Sequence, residues 1–236
     1  MPEAGIKILS TRPVADELVK KAAGKGIQLD SLSFIETHAI QDIEVQQEVE
    51  WAGTEEAIVV FTSMNAVDAV TELLDGHIPE WRIYCMGHAT QKLVTDYFGE
   101  GSIAGTGDNA SELADTLIEN EEPEEVIFFC GDQRRDELPD KLRNQQIAVS
   151  EIVVYETTAI HHKLRTNYDA VLFFSPSAVE SFFASNKLTA ETIVFAIGNT
   201  TRQTVQRFCK NKIIVSREPG KEMLVKQAID YFTSIE

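Results

Sequence analysis

Cysteine is scarce in this chain, with three in 236 residues, and basic residues are outnumbered: 21 Lys and Arg face 38 Asp and Glu, for a formal net charge of −17. The three thiols, Cys85, Cys130 and Cys209, are odd in number, lie far apart and form no Cys-x-x-Cys pair. That spacing argues against a disulfide framework and against a thiolate metal centre. Cys85 and Cys130 fall in apolar runs and are expected as buried free thiols of a reduced, cytoplasmic chain. The shortage of positive charge argues against nucleic acid and anionic membrane surfaces as partners. No apolar run approaches the ~20 residues of a membrane-spanning helix. The opening Met1-Pro2-Glu3-Ala4-Gly5 has neither a basic start nor an apolar signal core. His161-His162 is the one histidine pair, but adjacent residues point apart and no carboxylate or cysteine pattern joins them, so they read as an exposed loop and no metal is expected.

Hydrophobic residues make up 43% of the chain, enough for a substantial core. Two stretches organise it: Ile58 to Phe61 leading into Thr62-Ser63-Met64-Asn65, and Ala170 to Phe174 leading into Ser175-Pro176-Ser177. Each begins as a continuous apolar run, as a strand buried on both faces requires, and resumes as an amphipathic helix. Small polar residues at such a junction cap the first helical N–H groups or leave them facing an anion. The sequence predicts helices over 14–23, 41–56 and 111–120, a strand at 82–86 followed by a helix to about 98, a brief strand at 103–104, and a helix over 223–231. Gly105-x-Gly107-x-x-Ala110 mimics a dinucleotide fingerprint, but the strand before it is very short and the rest of the unit is missing. Glu119 to Glu125 reads as an acidic solvated loop.

The chain also answers itself in order. Val126 to Cys130 matches Ile6 to Ser10, Glu156-Thr157-x-Ala159-Ile160 matches Glu36-Thr37-x-Ala39-Ile40, Phe173-Phe174-Ser175 matches Phe61-Thr62-Ser63, and Phe195 to Thr201 matches Tyr84 to Thr90. The reading is an internally duplicated α/β protein of two similar parallel-sheet lobes with a cleft between them, flavodoxin-like, with ligand at the carboxyl ends of the strands. The Glu-Thr-x-Ala-Ile segments look like paired extended linkers.

These residues resemble the uroporphyrinogen-III synthase family. The resemblance rests on Thr11-Arg12-Pro13, Phe61-Thr62-Ser63-x-Asn65-Ala66-Val67, Gly87-x-Ala89-Thr90, Gly131 with Arg135-x-Glu137-Leu138, Val154-Tyr155-x-Thr157, Phe174-Ser175-Pro176-Ser177 and Ala196-Ile197-Gly198-x-Thr200-Thr201, in the family's order across nearly the whole chain. It implies an interleaved architecture: one lobe from 1–35 plus 156–236, another from 36–155, joined by a two-stranded linker near 34–40 and 153–160. It implies a cofactor-independent, metal-free enzyme that closes the linear tetrapyrrole hydroxymethylbilane with inversion of ring D through a spiro intermediate. Handover from the preceding bilane-forming enzyme and a monomeric state belong to the same expectation.

Within that resemblance Tyr155 is the expected acid or hydrogen-bond donor, since a phenol stays protonated at neutral pH. The alternative is a linker tyrosine packing between lobes. Thr200 and Thr201 are expected to bind substrate or to cap a helix, with Thr90 and Gly198 at equivalent turns. Ser63, Ser175 and Ser177 are similar candidates, and Arg12 is a candidate carboxylate partner. Many family members carry a basic residue where this chain has Asn65. The competing functional reading is a non-catalytic two-lobe module that binds a small acidic ligand. Tyr155 together with the Thr200-Thr201 pair favours the enzyme.

Overall fold

The structure, a computed structural model, describes residues 5–121, 123–218 and 220–234. Most of the N-terminal stretch read above, and Glu122 of the acidic run, lie outside it. In chain order the elements are β1 (Lys7–Ser10), α1 (Asp16–Ala23), β2 (Gln28–Ser31), β3 (Ile35–Ala39), α2 (Ile43–Thr54), β4 (Ala57–Phe61), α3 (Met64–Leu74), β5 (Trp81–Met86) and α4 (His88–Phe98). A short 3-10 turn precedes β6 (Ile103–Gly107), then come α5 (Ala110–Asn120), β7 (Glu125–Gly131), α6 (Glu137–Asn144) and β8 (Ala148–Ala159). The chain ends through β9 (Ala170–Phe173), α7 (Pro176–Ser185), β10 (Ile193–Ala196), α8 (Asn199–Phe208), β11 (Ile213–Val215) and α9 (Lys221–Thr233).

These elements form two compact units. Unit 1 is Met1–Glu36 with Thr158–Glu236, and unit 2 is Thr37–Thr157. The chain passes from one to the other within β3 and again near the end of β8.

Unit 1 holds a sheet in the order β11-β10-β9-β1-β2, with every pairing parallel. β9 lies at its centre with Ala170, Val171, Leu172 and Phe173 buried, as the unbroken apolar run requires. Leu18 of α1 and Leu224 of α9 pack on one face of this sheet, and Val179 of α7 and Val205 of α8 on the other. His161 is exposed, but His162 is not part of an exposed loop as expected: its Nε2 lies 3.0 Å from the Ser33 carbonyl oxygen and its ring stands edge-on to Phe34.

Unit 2 holds the order β3-β8-β7-β4-β5-β6, and β8 through β6 run parallel. Val49, Val67 and Val94 of α2, α3 and α4 cover one face, and Leu113 and Leu138 of α5 and α6 the other. β6 is longer than the two residues predicted and takes in both glycines of the apparent fingerprint. Gly105 lies under the Tyr84 ring, where an added Cβ would fall 2.5 Å from a ring carbon. Gly107 abuts the start of α5, where a Cβ would fall 2.4 Å from the Leu113 amide nitrogen. Asn109 caps that helix by accepting from the Glu112 N–H at 3.0 Å. The glycines therefore serve close packing, and the capped helix offers no open turn to a phosphate. Glu119 and Asn120, which fell in both the predicted helix and the predicted acidic loop, are the last turn of α5, and Glu125 begins β7.

Because Gly107 packs against backbone, which cannot turn aside, Gly107→Ala is expected to cost about 2 kcal/mol of stability, read from urea unfolding. An unchanged midpoint would contradict the packing role.

Candidate active site

In a parallel sheet every strand's carboxyl end and every following helix's N-terminus lie along one edge. The candidate residues sit on these edges. Arg12, Ser175, Ser177, Gly198, Thr200 and Thr201 are in unit 1, and Ser63, Asn65, Thr90 and Tyr155 are in unit 2.

The polar junctions divide into two kinds. Ser63 starts α3 and its hydroxyl accepts from the Asn65 N–H at 3.2 Å; Ser175 starts α7 and accepts from the Ala178 N–H at 3.1 Å. Both serines thus satisfy their own helices. α4 and α8 start instead on Gly87 and Gly198, with no side-chain cap. A Cβ at either glycine would meet nothing within 4 Å, so the space before these two N-termini is open. The threonines that follow are not caps. Thr200 is exposed on the first turn of α8, while Thr201 and Thr90 turn inward at 2% and 5% exposure. Thr201 and Thr90 therefore present almost no surface to a ligand, whereas Thr200 presents its hydroxyl.

Tyr155 owes its position to an irregularity. β7 and β8 pair with Cys130 opposite Val153, but Gly131 lies opposite Tyr155, so Val154 is passed over. Side chains alternate along a regular strand, and Tyr155 would otherwise share a face with Val153, which packs beside α5 and α6. The bulge turns it to the other face, where it packs beside Phe61 and Phe129. Its ring then covers Gly131, where a Cβ would fall 2.4 Å from Cζ. The Tyr155 carbonyl accepts from the Asp132 N–H at 3.1 Å, and the Asp132 carboxylate accepts from the Thr157 N–H at 2.9 Å. Burial pushes the phenol's pKa above the usual tyrosine value, the nearby Ser63 hydroxyl pulls it partly back, and Cys130 and Asp132 add to the rise. Ser63 and Tyr155 are thereby brought together, with the phenol held protonated and its oxygen beside the start of α3. Sequence reasoning missed Asp132; its only signal is a carboxylate just beyond a buried strand.

In unit 1 the turn after β1 is fixed by two buried hydroxyls. Ser10 donates to the Arg12 carbonyl at 2.6 Å and Thr11 to the Leu172 carbonyl at 2.8 Å. Arg12 is held half-buried with its guanidinium 5.8 Å from the Phe174 ring centroid. Burial lowers the pKa of this guanidinium.

Among the described residues no group of three His, Cys, Asp or Glu could hold a metal ion, and no helix is long and apolar enough to cross a membrane.

Two parallel-sheet units, each presenting helix N-termini along a strand edge, and a protonated phenol on one of those edges define an α/β protein suited to gripping an acidic small molecule. The family model for uroporphyrinogen-III synthase HemD matches residues 16–226, and the chain belongs to that family. A uroporphyrinogen-III synthase of Saccharomyces cerevisiae is 26% identical over 202 residues, covering 71% of this chain and 73% of the relative. A mutant uroporphyrinogen III synthase from the extremely thermophilic bacterium Thermus thermophilus superposes with a TM-score of 0.69 at 14% identity, covering 98% of this chain and 100% of that one. Uroporphyrinogen-III synthetase from Helicobacter pylori gives 0.66 at 16% identity, covering 96% and 99%.

Ser63→Ala removes both the α3 cap and the hydroxyl that stabilises the phenolate. It is expected to cost about 1 kcal/mol in unfolding free energy. It should also move the Tyr155 ionisation midpoint further up, read as the ultraviolet titration difference against Tyr155→Phe. The folded chain holds the phenolic proton to higher pH than the unfolded chain does, so this group makes stability decline as pH rises above the ordinary tyrosine value. Tyr155→Phe should flatten that decline.

Proposed function

We propose that this chain is a uroporphyrinogen-III synthase of tetrapyrrole (heme) biosynthesis, acting on hydroxymethylbilane without a cofactor. The observation that carries the reading is the family match, which runs through nearly the whole chain. It favours the enzyme over a non-catalytic binding module.

The chemistry asks for little beyond positioning and one proton. The terminal hydroxyl leaves as water, taking a proton from an acid, while the lone pair of its pyrrole nitrogen fills the vacancy to give a protonated azafulvene (azafulvenium) cation. The substituted end carbon of ring D attacks the exposed methylene and forms a spiro centre. Fragmentation and reclosure at the other carbon of that ring invert it, and loss of the ring proton restores aromaticity. Tyr155 donates to the departing hydroxyl, with Ser63 steadying the phenolate that results. A phenol is protonated at neutral pH and can donate, and its half-buried place on the strand edge supports that role.

The substrate's carboxylates are gripped by the open N–H groups at the starts of α4 and α8, at Gly198 and Thr200, and by Arg12, with Thr201 and Thr90 supporting those turns from within. Asn65, Ser175 and Ser177 complete the contacts at the capped helices. Holding a flexible chain in one ring-closing geometry supplies much of the rate as entropy already lost on binding. Net charge of −17 is no obstacle, because backbone dipoles attract anions without adding lysines. We place the protein in the reducing cytoplasm as a monomer that accepts its unstable substrate from the bilane-forming enzyme; three unpaired thiols support the compartment.

Feeding hydroxymethylbilane and separating the oxidised porphyrin isomers tests the activity. Isomer III is expected; isomer I alone, the product of unaided closure, would end the reading. Tyr155→Phe keeps the ring on Gly131 and loses only the hydroxyl, so turnover should fall about tenfold or more with unfolding free energy little changed. Undiminished turnover would remove Tyr155 as the acid.

A further inference from the structure

We infer that Lys221 and Arg12 form a two-cation carboxylate subsite in unit 1 that seats one acid-bearing ring of the substrate. The inference deepens the proposed function and rests on it for the identity of the ligand.

A concavity of about 200 Å³ opens at the carboxyl ends of β1 and β9. Its floor is apolar, including Phe174, Leu18 and Val225, and its rim carries Arg12 and Lys221. These two cations come from opposite ends of the chain and line the same concavity, Arg12 half-buried and Lys221 exposed; partial desolvation and then the charge of Arg12 lower the pKa of Lys221. Like charges lining one concavity repel, and an anion seated between them relieves that repulsion. Neither has an ion-pair partner among the described residues. The one carboxylate in the lining, Glu222, is engaged by Lys226 at 3.5 Å.

Two further features fit a carboxylate on a flat ring. α9 begins at Gly220, at φ 119° and without a side-chain cap, so the first N–H groups of a 13-residue helix open beside the Lys221 ammonium. Phe174, already stacked under Arg12, offers a face to a pyrrole while the two cations take its acid side chain. An apolar floor with a doubly cationic rim suits a ring bearing carboxylates better than a bare inorganic anion, which would gain nothing from Phe174 or Val225.

Intact protein is titrated with benzenehexacarboxylate and, separately, with inorganic phosphate while the lysine ε-methylene NMR signals are followed. The Lys221 signal should shift and saturate with the polycarboxylate and respond far less to phosphate. Lys221→Met should weaken the polycarboxylate about tenfold and Lys221→Arg should restore it, while Lys20→Met, an exposed change on α1, should leave it alone. In turnover Lys221→Met should raise KM about tenfold with kcat nearly unchanged, as loss of uniform binding requires. A Lys221 signal indifferent to the polycarboxylate, or equal binding by Lys221→Met and wild type, overturns the subsite even if isomer III is made. If wild type makes no isomer III but these titrations behave as described, the proposed activity falls and the carboxylate subsite stands.

Discussion

The first turn of any helix carries backbone N–H groups that have no partner within it, and how this protein disposes of them governs the rest of its design. Parallel sheets collect all such turns along one edge of each unit. α3, α5 and α7 close theirs with Ser63, Asn109 and Ser175. α4, α8 and α9 begin on Gly87, Gly198 and Gly220 and have no side-chain cap. Closed and open turns therefore both occur, and the open ones supply positive potential from backbone alone, with a lysine added only at α9. A strongly acidic chain can in this way favour an acidic substrate at chosen points while repelling anions elsewhere.

A second economy lies in the tyrosine–glycine pairs of unit 2. Tyr84 faces Gly105 and Tyr155 faces Gly131, each beside a shift in strand register, and each ring lies where the glycine lacks a side chain. The two phenols have different fates. Tyr84 is fully buried and donates to Glu121, itself paired with Arg82. Tyr155 remains half-buried, with its hydroxyl beside Ser63. The same packing device thus buries one tyrosine completely and leaves the other half-exposed, as the proposed role of Tyr155 requires.

The fold class was legible because strands buried on both faces must be written as unbroken apolar runs, as in Val59 to Phe61 and Ala170 to Phe173. The serine caps were legible too, since a hydroxyl between such a run and a helix has little else to bond. The bulge at Tyr155 was not, because the alternation of Val153, Val154 and Tyr155 in the sequence assigns the tyrosine to the opposite face. Burial of Thr90 and Thr201 was equally hidden: which side of a first turn faces inward depends on how the helix lies on its sheet. The glycines of β6 misled for a related reason, since close packing against a ring and close approach to a phosphate demand the same residue. Lys221 carried no signal, as its nearness to Arg12 arises only when β1 and α9 meet in one unit.

The division of the chain also sets an order of events during synthesis. Residues 37–157 form one uninterrupted unit, whereas unit 1 needs Met1–Glu36 and Thr158–Glu236 together. β1 occupies an interior place in its sheet, yet its neighbour β9 emerges from the ribosome only after the whole of unit 2. On a nascent chain, then, unit 2 can close while β1 still waits with one edge unpaired, a target for chaperones or for another strand. A strand translated before unit 2 thus finds its second neighbour only after unit 2 is complete.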